Sequence, residues 1–338
     1  MDAIVLVGGQ GTRLRPLTNS RHKSLVPVCN RPAIEYLFDW LRRSGFERVI
    51  LALGQANEDL AAAYPTGSLE GIELLIIEER SRLESGGAIR NAVEVAGIEG
   101  RFAVLNGDVF VDFPFAHALE AHVAQGADLT IALAAVDDPW HFGVAAIDAA
   151  HLITGFVEKP PRGEEPSKLV NAGVWIFEPH IVAEIPPGAV RVEETLFPSL
   201  VGRGRPVLGY QFDGPWADIG TPARYLALNR LLIAEHERDV RGDGCNVAAD
   251  ATVAQSALGA NVTIGDGAVV EGSVLWDGVT IEAGARVVDC VLADGVTVGA
   301  GASLEDVVAG SRAQIAAGVS VRDRSIETDA RYDESHER

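Results

Sequence analysis

The stretch LVGGQGTRLRPLT, Leu6–Thr18, sets a glycine-rich turn directly behind the apolar run AIVLV (Ala3–Val7) and then supplies two arginines, Arg13 and Arg15. Glycines after a buried strand let backbone N–H groups approach a phosphate or a base edge that a Cβ would hold off. Two familiar turns of this kind are excluded. A P-loop ends in Gly-Lys-Ser/Thr, whereas Gly8 and Gly9 lead here to Thr12, Arg13 and Leu14, and Leu14 occupies the place of the third glycine of a dinucleotide fingerprint. What is left is a glycine loop with its own cations, and Lys23 lies ten residues beyond Arg13. Such a loop suits a triphosphate, with backbone donors on one side and point charges on the other. The same residues also fit a tight strand-to-helix turn with solvated arginines.

Downstream, the runs RVILAL, ELLIIE, RFAVLNGD and DLTIALAAV alternate with AIEYLFDWLRRSG and GGAIRNAVEVA, in which apolar residues recur at three and four. This alternation predicts an α/β fold, a Rossmann-like, mostly parallel sheet with helices on both faces, whose ligands gather beyond the carboxyl ends of the strands. A last amphipathic helix opens on Pro222.

From Arg241 the texture changes. Aliphatic residues at Val247, Val253, Leu258, Ile264, Val270, Leu275, Ile281, Val287, Leu292, Val298, Leu304, Ala309, Ile315 and Val321 follow spacings of six and five that add to a seventeen-residue unit. One inward residue per side of a three-sided coil is how a parallel β-helix of hexapeptide repeats builds its core. A β-sandwich would show two-residue alternation over longer strands instead. The expected organisation is therefore residues 1–235 as an α/β domain, 236–321 as a β-helix, and 322–338 as a charged, mobile tail.

The net charge of −20 and the lack of a dense basic run exclude a nucleic-acid partner. No apolar run spans a bilayer and the chain opens directly on a strand, so no membrane association is expected. Three scattered cysteines without metal spacing fit a reducing, cytoplasmic setting. None of the eight histidines has ligand spacing, and they are expected at the surface or in packing roles.

LVGGQGTRLRPLT and HKSLVPVCNRPAIEY closely resemble the signature of the sugar-1-phosphate nucleotidyltransferases (NDP-sugar pyrophosphorylases). The likeness continues through ESGGAIRNA, LNGDVF, FGVAAID, FVEKP, NAGVWIF, EETLFPSL and WADIGTPARYLALN, in order over about 1–235. In this family a left-handed β-helix often follows. The nearest likeness is to the mannose-1-phosphate guanylyltransferases, which implies GTP and mannose 1-phosphate as substrates and GDP-mannose as product. Glucose-1-phosphate thymidylyltransferase or uridylyltransferase is the alternative, and a non-catalytic, nucleotide-sugar-sensing regulatory subunit is another.

The resemblance implies a set of roles. Gly8, Gly9, Gly11, Gly86 and Gly87 line the nucleotide, Arg13 holds the leaving phosphates and Lys23 sits near the α-phosphate. Asp108 and Asp218 bind Mg²⁺, an ion that needs only one or two protein carboxylates. Gly143, Glu158, Lys159 and Asn171 form the sugar-phosphate pocket. The chain departs from the family where His22 and Ser24, rather than proline, flank Lys23, and where RLESGGAI replaces the usual LGTAGAL type. Acetyl transfer, another activity carried by such coils, needs a histidine base, and there is no histidine between Arg238 and Ser335. Self-association through the β-helix is expected, because its flanks and open end need covering.

Overall fold

The computed structural model describes residues 1–54, 58–235 and 239–333. His236 and His336, and the last five residues of the expected tail, lie outside them. The chain forms two compact units, one of Met1–Gly9 with Tyr36–Trp216 and one of Gln10–Glu35 with Ala217 onward. The boundary expected at 235 marks the change from helix to coil. Compactness instead groups the helix Pro222–Glu235 and the segment Gln10–Glu35 with the coil.

In the first unit Asp2–Val7 pairs in parallel with Arg48–Leu53 on one side and Phe102–Asn106 on the other, and Ile72–Glu78 extends the block. Ala3, Ile4, Val5, Val49, Ile50 and Leu51 are wholly buried, as strands covered on both faces require. Beyond Phe102–Asn106 the sheet turns antiparallel. Leu169–Phe177 runs against Phe102–Asn106, Leu129–Ala135 and Gly143–Ile147, and Gly143–Ile147 against Ile153–Glu158. The tight turn at Asp148–Leu152, closed by Asp148 N–H to Leu152 C=O at 2.9 Å, joins only antiparallel neighbours and so sets the direction of Ile153–Glu158 against Gly143–Ile147. Parallel pairing returns where Val207–Gln211 lies beside Leu129–Ala135, so the ten-stranded sheet is mixed. Its core centres on Trp175, Phe177 and Phe197, with the Trp175 and Phe197 rings edge-to-face at 5.1 Å.

In the second unit, short strands stack in parallel with a constant offset of seventeen: Leu258 beside Leu275, then Leu292, Ala309 and Ile326. The sequence repeat is thus the length of one coil. Gly244, Asn261, Gly278, Gly295, Arg312 and Asp329 all have positive φ and mark one corner of successive coils. Inside, Cys290 N–H donates to Ser273 Oγ and Ser273 N–H to Ser256 Oγ, a buried ladder one coil apart.

The expected tail needs correction. Ser320–Ile326 pairs with Ser303–Ala309 over six registered positions, and Arg331–Tyr332 pairs with Gln314–Ile315. Ile326 is buried, while the charges that suggested a tail point outward in cross-coil pairs, Arg312 with Asp329 at 2.6 Å and Arg322 with Glu305. No helix among the described residues is long and apolar enough to cross a membrane.

Candidate active site

In the first unit the parallel strands run out onto glycine. A Cβ on Gly54 would fall 2.7 Å from Gly8 Cα, and one on Gly107 2.2 Å from Val7 Cγ1, so these strand ends come together only without side chains. Gly8 and Gly9 are exposed at the carboxyl end of Asp2–Val7. Asp108 is half-buried in the turn after Phe102–Asn106, also at a carboxyl end, where open α/β sheets bind ligands.

Three of the predicted sugar-phosphate residues share one corner of this unit. Gly143 lies opposite Glu158 across the antiparallel pair, and Lys159 N–H donates to Phe142 C=O at 3.0 Å. A Cβ on Gly143 would meet Glu158 Oε2 at 2.7 Å and Phe156 Cζ at 2.6 Å; glycine lets the glutamate lie across the strand. Lys159 Nζ pairs with Glu158 Oε1 at 2.8 Å, setting a cation beside an acceptor, the two groups needed for a phosphate and for hydroxyls. Asn171 is fixed by its own strand irregularity: its Oδ1 accepts from Gly173 N–H at 3.0 Å and Trp175 Nε1–H at 2.7 Å. Its amide N–H groups are what it has left to offer a ligand.

Gly86 and Gly87, expected beside the nucleotide, have a close neighbour within the chain. Both are buried in the first turn of the helix Glu84–Ala96, where a Cβ on Gly87 would fall 2.5 Å from Gly188 C=O and one on Gly86 2.9 Å from Val190 Cγ2. The close approach they permit is by the chain itself. That packing presents Glu193, a residue the sequence reading passed over. Ser85 Oγ–H donates to Glu193 Oε2 at 2.6 Å and accepts from Val192 N–H at 3.1 Å. Burial pushes the Glu193 carboxyl up, the Ser85 hydrogen bond opposes this, and the charge of Glu158 adds to the rise. The only signal in the sequence was EETLFPSL, whose first glutamate is Glu193.

The second unit gathers the cationic part of the signature. Gly11 has φ +61°, and a Cβ there would meet Lys23 Cβ at 3.0 Å and Thr18 Cγ2 at 3.1 Å. Thr18 Oγ–H closes the loop onto Gly11 C=O at 2.8 Å, and Leu14 and Leu17 anchor it as buried side chains. Arg13 is exposed, and Lys23 opens a short 3-10 turn in which His22 Nδ1 accepts from Ser24 N–H at 3.2 Å. The flanking histidine thus has a capping function. Arg13 comes to Asp218: a Cβ on buried Gly220 would meet Asp218 Oδ2 at 2.5 Å and Arg13 Nη2 at 3.1 Å. Arg224 Nη1 pairs with Asp218 Oδ1 at 2.8 Å. Arg224, in the first turn of the helix Pro222–Glu235, also went unnoticed in the sequence.

Asp108 and Asp218 offer hard carboxylate oxygens. Among the described residues no three His, Cys, Asp or Glu side chains converge as a self-sufficient metal cage. A single carboxylate is a kind of ligand that suits Mg²⁺, which fills the rest of its shell with water and substrate phosphates.

A sheet ending on an exposed glycine loop, a phosphate-sized cation and carboxylate cluster, and a coil of seventeen-residue turns define a nucleotide-handling α/β protein. The profile of the nucleotidyl transferase family matches residues 2–235, and that of the EIF2B subunit epsilon LbH domain, a left-handed β-helix, matches 234–326. The chain belongs to the nucleotidyl transferase family. It is 36% identical over 230 residues to mannose-1-phosphate guanylyltransferase of Mycobacterium tuberculosis, an alignment covering 67% of this chain and 63% of that protein. It is 32% identical over 264 residues to mannose-1-phosphate guanyltransferase 2 of Candida glabrata, covering 76% and 72%. Its fold matches that of HddC from Yersinia pseudotuberculosis complexed with GMP-PN, with a TM-score of 0.59, 26% identity, and coverage of 68% of this chain and 99% of that one. The chain thus spans less than two thirds of the length of the Mycobacterium relative.

Proposed function

We propose that this protein transfers a guanylyl group from GTP to mannose 1-phosphate, giving GDP-mannose and pyrophosphate. The names of the relatives and the run of shared motifs support this substrate pair. A sugar-phosphate oxygen attacks the α-phosphorus, and the bond to the bridging oxygen breaks. Pyrophosphate leaves with the electron pair. Two polyanions have to meet, so catalysis consists of alignment and charge neutralisation. In this reading Gly8, Gly9 and Gly11 line the nucleotide, Arg13 takes the leaving phosphates and Lys23 the α-phosphate, and Gly143, Glu158, Lys159 and Asn171 hold the sugar phosphate. Asp108 and Asp218 are the proposed Mg²⁺ ligands; the ion, when bound, offsets triphosphate charge.

The observation that carries the reading is that Arg13 lies beside Asp218 at Gly220 while Arg224 pairs with the other oxygen of the same carboxylate, because two guanidinium groups so close together suit a phosphate. The proposed setting is cytoplasmic, as a homo-oligomer joined through the β-helix. Burial pushes the Cys29 and Cys290 thiols up to about 12, which disfavours the reactive thiolate.

The test is a matrix of GTP, UTP, dTTP and ATP against mannose 1-phosphate and glucose 1-phosphate with Mg²⁺, scored by pyrophosphate formed. Release is expected only when both substrates are present, and fastest for GTP with mannose 1-phosphate. Release without the sugar phosphate would make the protein a pyrophosphatase, and binding of GDP-mannose with no release from any pair would make it a regulatory subunit.

A further inference from the structure

The residues around Lys23 are tied to the β-helix one coil at a time. Asn30 Nδ2 donates to Leu258 C=O at 2.5 Å. The Arg21 guanidinium lies 5.0 Å from the centre of the Trp276 ring, and its Nη2 pairs with Asp294 Oδ2 at 3.0 Å. Ser20 Oγ is 3.3 Å from Ser311 Oγ, and Asn19 Nδ2 is 3.3 Å from Thr328 Oγ1. Positions 276, 294, 311 and 328 fall about one seventeen-residue coil apart, so Asn19–Arg21 runs along one edge of the coil stack with its anchors in register. Within the segment itself the backbone is held by turn bonds such as Asn19 N–H to Pro16 C=O at 3.2 Å and Leu25 N–H to His22 C=O at 2.9 Å, so the coil contacts add a second set of anchors.

Arg21 is the best held of these contacts. Trp276 is almost fully buried, and its Nε1–H donates to Tyr225 Oη at 3.0 Å. The Tyr225 hydroxyl in turn donates to Pro27 C=O. The coil therefore holds the chain on both sides of Lys23, directly at Arg21 two residues before it and, through Tyr225 of the helix Pro222–Glu235, at Pro27 four residues after. A guanidinium stacked on an aromatic face and paired with a carboxylate is fixed in direction as well as position, which a lysine in its place would not reproduce. Burial pushes the Asp294 carboxyl up, Arg21 opposes this, and nearby Asp277 adds to it.

We propose that Arg21, clamped between Trp276 and Asp294, is a positioning residue through which the β-helix sets Lys23 for the transfer reaction. The inference rests on the role proposed above for Lys23. It gives the coil a part in the chemistry through the placement of Lys23.

The test compares full-length wild type with Arg21→Met, Arg21→Lys and Asp294→Asn. In Arg21→Met and Asp294→Asn, amide hydrogen exchange of peptides covering residues 18–26 is expected to speed up, with coil peptides over 258–309 unchanged. In the same variants kcat should fall roughly 10- to 100-fold, the scale of an ångström of misplacement, with KM for the sugar phosphate held within about twofold. Arg21→Lys, which keeps the ion pair but not the stacked plane, should recover part of kcat. The Arg21→Met Asp294→Asn double variant should lose no more than Arg21→Met alone, because both act through one contact. Wild-type exchange over 18–26 in Arg21→Met overturns the proposal, and so does faster exchange spread through the coil, which marks a merely structural contact. The exchange measurement needs no turnover, so a wild type inactive with every substrate pair would defeat the functional reading while the clamp is judged separately.

Discussion

At the scale of single residues, Gly220 makes the sharpest statement about the site. Its φ is ordinary, so alanine meets no backbone strain there, yet the added methyl would occupy the space between Asp218 Oδ2 and Arg13 Nη2. Gly220→Ala is expected to lower kcat by about 100-fold, as misplacement of reacting charges does, while far-UV circular dichroism and melting temperature stay at wild-type values; undiminished turnover would detach this cluster from the chemistry. Glu193 makes a second, pH-dependent one. A carboxyl raised by burial costs nothing below its unfolded-state pKa and destabilises the fold as pH rises through its folded-state value. Glu193→Gln keeps the hydrogen bond from Ser85 and loses the charge, so its melting temperature should exceed wild type by a few degrees at about pH 8 and converge with it toward about pH 4. A difference independent of pH would refute this. Arg13 and Lys23 stood out in the sequence because glycine and charge patterns are local, while Asp218 was marked only by the likeness of WADIG to the family signature. Arg224 and Glu193 did not, because their meaning depends on what a turn of helix or a distant serine brings beside them.

At the scale of elements, legibility followed periodicity. The seventeen-residue rhythm specified coil length and inward column directly, since each aliphatic position reports one side of the coil. Val321 to Ile326 to Tyr332 continues that rhythm with spacings of five and six, which the charged letters between them concealed. In the sheet, apolar runs announced the strands but not their direction, which a short connection decides for one pair only, Gly143–Ile147 with Ile153–Glu158. The buried Ser256–Ser273–Cys290 ladder is an element-level device that no periodic pattern reveals. Ser273 Oγ accepts from Cys290 N–H at 3.0 Å and donates to Glu271 C=O at 2.8 Å. Ser273→Ala leaves that buried N–H without its partner and should cost about 1–3 kcal/mol, read as a lower midpoint of the coil's unfolding in urea with an unchanged slope; an unmoved midpoint would show that the ladder contributes nothing.

At the scale of the whole molecule, the division of the chain matters more than its length. The chain passes from one compact unit to the other between Gly9 and Gln10, between Glu35 and Tyr36, and between Trp216 and Ala217, and all three crossings fall inside motifs that carry proposed site residues. The β-helix therefore cannot be regarded as an appendage that can be trimmed without consequence for the signature loop. Its final turn tests this. A chain ending at Val321 loses Ile326, which is 4% exposed, and the registered partner strand of Ser303–Ala309. Losing one buried isoleucine alone costs about 2–5 kcal/mol, and the uncovered strand edge invites pairing between copies. Truncation is thus expected to lower the coil's thermal transition by several degrees and to give concentration-dependent aggregate, in light scattering, in place of the homo-oligomer proposed for the full chain. It should also depress turnover, since Asn19 bonds to Thr328 in the deleted turn. If the shortened chain melts, scatters and turns over as the full one does, residues 322–333 are the dispensable tail their composition implied, and the coil effectively ends at Val321.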